Sequence, residues 1–211
     1  MPMTKQRLTR AESQEQTRQR IIESATRLFM SVGFSSTSLD QIAETAGYTV
    51  GAIYSNFANK AEIGIAVVDG LYVATSERVI RAVEASGGQG MDACLDAIWI
   101  ALEPELGSRD WARLETEVAV VASQSPQFRT AAASRYARFR GLGQIMISQW
   151  YASEGLSQPT DIESRIIALT SLILGLGLQR AMDPAIPLSL FRQSLRGAVK
   201  AIVLTNTVAL A

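Results

Sequence analysis

The chain has 211 residues, 47% of them hydrophobic and 19% charged, and its 20 Lys and Arg residues are matched by 20 Asp and Glu. That balance fits one or two globular domains with a sizeable core, and excludes both a disordered chain and a whole-protein electrostatic pull on nucleic acid. A single cysteine, Cys94, and no histidine remove intramolecular disulfides, cysteine-rich zinc sites and the His-dependent nucleophile systems, so no metal, cofactor or enzymatic activity is expected.

The charge is uneven. Residues 1–60 carry seven Lys or Arg against five acidic residues, which leaves a mildly acidic remainder. Residues 1–11 read as a flexible basic arm, with Arg7 and Arg10 suited to a minor groove or simply to solvent. Helical periodicity then starts near Ser13, runs through Ile21, Ile22, Ala25, Leu28 and Phe29, and stops at Gly33. Ser38 and Gln41 have capping-box spacing and open a helix that ends at Gly47. Thr49 caps a very short helix reaching Phe57. Asn59 with Glu62 opens a longer one to about Ala85, before the breaker "SGGQG" at 86–90.

The pattern stays helical beyond that break. One stripe holds Met91, Leu95, Ile98 and Leu102, and another Trp111, Leu114, Val118 and Val121. Ser125-Pro126 starts a helix bearing Phe128, Tyr136, Phe139, Gly143, Met146 and Trp150, and Gly155 ends it. Thr160 and Glu163 are spaced as a capping box for a helix to about Met182. "DPAIP" is a loop, and a last helix runs from Leu188 to about Thr207. The expectation is an all-α fold of about nine helices, with a three-helix head at 12–58 and a helical bundle at 59–211.

The stretch from Leu39 to Lys60 carries the head's distinctive spacing. A sharp crossing of two helices needs a small residue at the contact, a left-handed residue at the turn and an apolar residue to close the core. Ala43, Gly47 and Ile53 stand at those places, so the segment reads as a helix-turn-helix. Its second helix presents Val50, Gly51, Ala52, Ser55 and Asn56. Asn56 suits an adenine edge, Ser55 several bases, and Val50 and Ala52 thymine methyls, while Gly51 permits close approach. Tyr54, Thr49, Thr37, Ser38 and Lys60 suit the DNA backbone. Lys60 opposes the dipole of the helix it begins, a misfit that an incoming phosphate would relieve.

The segment "RIIESATRLFMSVGFSSTSLDQIAETAGYTVGAIYSNFANKAEI", Arg20 to Ile63, resembles the DNA-binding head of the TetR family of bacterial transcriptional regulators. Ala25, Leu28, Phe29, Gly33-Phe34, Thr37, Ala46-Gly47, Gly51, Ile53-Tyr54, Phe57 and Asn59-Lys60 carry the match. The later "LILGLGLQRAMDP" also resembles it. The resemblance implies a homodimeric, all-helical repressor of an approximately palindromic double-stranded operator, released by a small molecule bound in the C-terminal domain. Many members have lysine where Val50 stands, and aromatic residues or histidine at Ser55 and Asn56, so base preference does not transfer.

In the body, the helix at 160–182 is apolar on more than one side, with Ile162, Ile166, Leu169, Ile173 and Leu176 on one face and Ile167, Leu174 and Leu178 on another. Such a helix is either fully buried or shared with another chain. Leu169, Ile173, Leu176, Phe191, Leu195, Val199 and Ile202 are the expected dimer contacts. Trp99, Trp111, Tyr136, Phe139, Met146 and Trp150 are the candidates to line an effector pocket. Their character favours a mostly apolar or aromatic ligand, with Glu115, Glu117 and Arg138 available to orient it. The N-terminus shows no signal peptide, and the apolar run Ile166–Leu178 is shorter than the about 20 residues that span a bilayer. A cytoplasmic protein without a membrane partner is expected. An activator of the same fold, or a helical protein-interaction module, remain the alternatives.

Overall fold

The computed structural model describes residues 9–87 and 90–204, the last three without their side chains. Nine helices account for the regular structure of these residues: α1 (Arg10–Val32), α2 (Leu39–Ala46), α3 (Val50–Tyr54), α4 (Lys60–Ala85), α5 (Met91–Leu102), α6 (Arg109–Ser123), α7 (Pro126–Ser153), α8 (Ile162–Met182) and α9 (Leu188–Leu204). They form two compact units. The first takes the chain up to Gly70 together with Arg113–Arg129, and the second holds Leu71–Ala112 and the chain from Thr130 onward.

Local chemistry explains most boundaries. Helix α1 starts earlier than its apolar period suggests, because Thr9 and Glu12 make a reciprocal capping box there. Arg10 is therefore helical, while Arg7 lies outside the described residues. Ser38 and Gln41 cap α2 in the same way, with Gln41 N–H donating to Ser38 Oγ at 3.1 Å. Glu62 N–H donates to Asn59 Oδ1 at 2.9 Å at the head of α4. The expected Thr160–Glu163 box is absent. Asp161 precedes α8 without a side-chain cap, its carboxylate instead pairing with Arg165 at 2.9 Å.

The core of the first unit includes Ile21, Ala25, Phe29, Phe34, Ile42, Ala43, Ile53, Phe57, Ile63, Val67 and Val118, all buried. Phe29 and Phe34 meet edge to face at 5.2 Å. Gly64 is there because a side chain would not fit: a Cβ would lie 2.7 Å from Phe34 and 3.2 Å from Val118. Across the same unit, α6 grips the turn after α1. Glu117 Oε2 accepts from the amides of Phe34 (2.7 Å) and Ser35 (3.3 Å), and Arg113 donates to Met30 carbonyl at 2.9 Å. Glu117 and Glu115 thus belong to the unit that holds the head, away from the expected ligand-orienting role, and Arg138 is exposed.

In the second unit, Trp99, Phe191 and Leu195 form a buried cluster, with Leu169, Ile173, Leu176 and Val199 packed against it. Six of the seven residues expected at a dimer face thus pack, wholly or in part, within the chain's own second unit, where Trp99 of α5 gives α8 and α9 an apolar partner. The seventh, Ile202, lies among the residues whose side chains are not described. The other apolar face of α8 is the one left outward, with Ile167 and Leu178 each 43% exposed and Met182 67%. By length and composition alone, α8 is long and apolar enough to cross a membrane. Sequence reasoning also missed Arg135, which is buried with its guanidinium 5.4 Å from the Tyr72 ring and 5.3 Å from the Tyr136 ring.

Ion pairs tie α9 to α5. Asp96 receives Arg192 at 2.5 Å and Arg196 at 2.7 Å, and Asp92 receives Lys200 at 2.8 Å. The bond from Arg192 holds the Asp96 carboxyl below its ordinary range, and the bond from Lys200 does the same for Asp92. Depressed folded-state values mean that the stabilisation is complete above the unfolded carboxylate value of about 3.9 and disappears as pH falls through the folded ones. Asp96→Asn is therefore expected to lower the melting temperature at pH 6 and to shrink its fall between pH 5 and 3. Parallel pH curves for variant and parent would refute the linkage.

Candidate nucleic-acid interface and effector cavity

The turn between α2 and α3 has the geometry its spacing demands. Gly47 adopts φ 73°, ψ 30°, and its N–H and that of Tyr48 close onto Ala43 and Glu44 carbonyls. Ala43 and Ile53 are buried beneath it. A Cβ on Gly47 would meet nothing within 4 Å, so glycine serves the backbone conformation alone.

Helix α3 is five residues long because Thr49 caps its start and Arg18 closes its end. Thr49 Oγ1 accepts from Ala52 N–H at 3.2 Å. Arg18 donates to Asn56 carbonyl at 2.9 Å while its guanidinium stacks 4.1 Å over Phe57. The outward side presents exposed Gly51, Tyr54 and Ser55, with Val50 and Ala52 half-buried. Tyr54 is 59% exposed, a large ring held at the surface with nothing covering it. Ser38 and Thr49 are exposed at the starts of the two helices.

Four expected contacts have a different local role. Thr37 is buried and its hydroxyl donates to Gly33 carbonyl at 2.7 Å, so that hydroxyl is spent on the turn. Asn56 donates its amide to Ala52 carbonyl at 2.8 Å, and Ser55 its hydroxyl to Gly51 carbonyl at 2.9 Å. Both side chains fold back along α3 rather than reaching outward. Lys60 donates to the carbonyls of Phe34 (3.0 Å), Ser35 (3.3 Å) and Thr37 (2.9 Å), and its ammonium sits 4.7 Å over the Phe34 ring. Its position against the helix dipole is thus explained by three carbonyl oxygens, without a phosphate. Lys60→Met is expected to destabilise the fold by about 2 kcal/mol in urea titrations. It should leave the salt dependence of DNA binding intact, whereas a phosphate-neutralising lysine would lower that slope by about one.

Beyond Arg10, sequence reasoning passed over the outer part of α1. Arg10, Ser13, Gln14 and Thr17 border a polar trough with Ser55 and Asn56. Tyr48 lies nearby, its phenol held below its usual range by a hydrogen bond with Thr17 and by Arg20. The available signal was the three-to-four-residue spacing of these polar groups on a helix that buries nothing before Ile21.

The second unit contains two adjoining cavities. The larger, about 110 Å³, is walled by aliphatic side chains with Phe139, Gly143 and Met146. The smaller, about 40 Å³, is bounded by Tyr72, Thr75, Glu105, Leu106, Trp111 and Phe139 among others. Leu102, Phe139 and Ile173 line both. Of the expected pocket residues, Trp111, Phe139 and Met146 line these cavities, and Tyr136 lines a third with Phe139 and Arg140. Trp99 and Trp150 do not. Trp99 packs on Phe191 at 5.6 Å, and Trp150 on Tyr151 at 5.3 Å.

Residues 21–67 match the family of bacterial regulatory proteins of the tetR type, and residues 92–204 match the C-terminal family of BetI-type transcriptional repressors. The chain is 41% identical over 100 residues to the HTH-type transcriptional regulator TtgR of Pseudomonas putida, covering 47% of each. It therefore spans about half the length of that curated relative. A putative TetR-family regulator from Mesorhizobium loti superposes with a TM-score of 0.73 over 94% of this chain and 98% of the other, at 21% identity. A putative transcriptional regulator from Saccharomonospora viridis, in complex with choline, superposes with a TM-score of 0.67 over 88% and 96%, at 21% identity. At that identity the two structures establish the fold alone.

Proposed function

This chain belongs to the TetR family of bacterial regulatory proteins, and we propose that it is a cytoplasmic, dimeric repressor that a small effector releases from an approximately palindromic operator. The observation that carries this reading is α3: a five-residue helix, capped at one end by Thr49 and closed at the other by Arg18, that holds Tyr54 outward. Such an element has little core to build and one face to offer a major groove. Val50, Gly51 and Ala52 are its reading face, with Tyr54 at its edge on the DNA backbone. Ser38, Thr49 and Arg10 are the backbone contacts, the last from the outer turns of α1. Dimer pairing falls to the outward face of α8, with Ile167, Leu178 and Met182, where Gly175 leaves open space for a neighbouring helix.

The adjoining cavities of the second unit are the effector chamber. Their apolar walls suit a small, mainly apolar molecule, and a protein of the same fold holds choline. The test is a gel shift with the DNA flanking the protein's own gene. Retarded DNA at moderate salt, lost with Tyr54→Ala, is expected. A folded dimer that shifts none of that DNA would sink the reading.

A further inference from the structure

The smaller cavity is apolar except at one end. Tyr72 stands at an aromatic corner, 5.9 Å from Trp111 and 5.5 Å from Phe139, the latter edge to face. Glu105 lines the same cleft. Its Oε1 takes the guanidinium of Arg78, which also donates to Thr75 Oγ1 at 3.2 Å and Ala101 carbonyl at 3.3 Å. Its Oε2 is buried and accepts no hydrogen bond from the described residues. A buried carboxylate oxygen with no donor is costly, so such groups in native proteins call for an explanation. Because Arg78 already balances the charge, what is missing is a hydrogen-bond donor rather than a cation. The aromatic walls beside it suit a flat ring, which adds edge-to-face contacts of the kind Tyr72 already makes.

We infer that Glu105 is the specificity-determining acceptor of this cleft, and that the effector is a planar aromatic molecule whose hydroxyl or N–H group donates to Glu105 Oε2. The inference rests on reading the cavity as the effector site. It adds a polar requirement to a chamber that its lining otherwise describes as merely greasy, and it makes Tyr72 and Glu105, both unflagged by the sequence, the discriminating residues.

Calorimetric titration of the full chain with 2-naphthol and 2-methoxynaphthalene compares one ring system with and without the donor. Hydrophobicity alone favours the methyl ether. A charged acceptor at the ring's edge favours the naphthol, by about tenfold or more. In Glu105→Gln the amide oxygen turns to Arg78 and its NH₂ group faces the cleft, so naphthol should lose about tenfold and the ether should gain. The comparison on the unmodified chain stands even where the variant folds poorly. Equal binding of the two ligands, or a naphthol preference unmoved by Glu105→Gln, overturns the role of Glu105 and leaves the cavity reading in place. Binding of neither ligand to the unmodified chain overturns both.

Discussion

Replacing Phe191 by alanine is expected to destabilise the protein by about 3–5 kcal/mol, the range for removing a fully buried aromatic side chain. Phe191 is 1% exposed and its ring lies 5.6 Å from that of Trp99. Leu169, Ile173, Leu176, Leu188 and Val199 pack on the same cluster, so the hole left by truncation has walls on every side and collapses only in part. The loss must appear in the intrinsic stability of the subunit. Urea unfolding at several protein concentrations separates the two readings of α9. A stability loss independent of concentration places Phe191 in the core. If the loss grew only where subunits pair, Phe191 would belong to an interface, as the sequence pattern alone suggests.

Leu178→Glu should have the complementary outcome. Leu178 is 43% exposed on the outward face of α8, in line with Ile167 and Met182, so a carboxylate there meets only water in the isolated chain and costs the fold little. In a paired α8 it would be buried without a partner, a penalty of several kcal/mol. Light scattering after size exclusion should give a monomer with an undiminished helical signal. Operator affinity should fall by roughly 100-fold or more, because the second half-site is no longer bound within one complex. A dimer that survives the substitution would remove the outer α8 face from the interface. The two variants together decide which apolar faces of α8 and α9 belong to the chain's own core.

Helices α2 and α8 differ in how legible they are, and the difference has a cause. The Ser38–Gln41 cap, the Gly47 turn and the Ala43 and Ile53 contacts all lie close together in the chain, and local spacing identifies them. Helix α8 defeats the same logic. Periodicity locates a buried face by contrast with a polar one, and here both faces are apolar. The choice between them is made by Trp99 of α5, which lies far back in the chain. Lys60 shows the same limit in electrostatic form. Its oddity at the start of α4 is visible in the sequence, but the carbonyls that resolve it belong to Phe34, Ser35 and Thr37. A phosphate is the natural partner to suppose when those carbonyls are not in view.

By itself, then, the sequence determined the helical class, the nine segments, the turn between α2 and α3, and the family. All of these follow from caps, glycines and apolar periods that act over one or two turns of chain. Only the tertiary structure decided which cations are spent on internal carbonyls, which face of α8 packs on Trp99, and which carboxylate lines the smaller cavity. Those outcomes depend on which distant group arrives to satisfy a charge, a carbonyl or an apolar surface, and a local pattern does not encode that pairing.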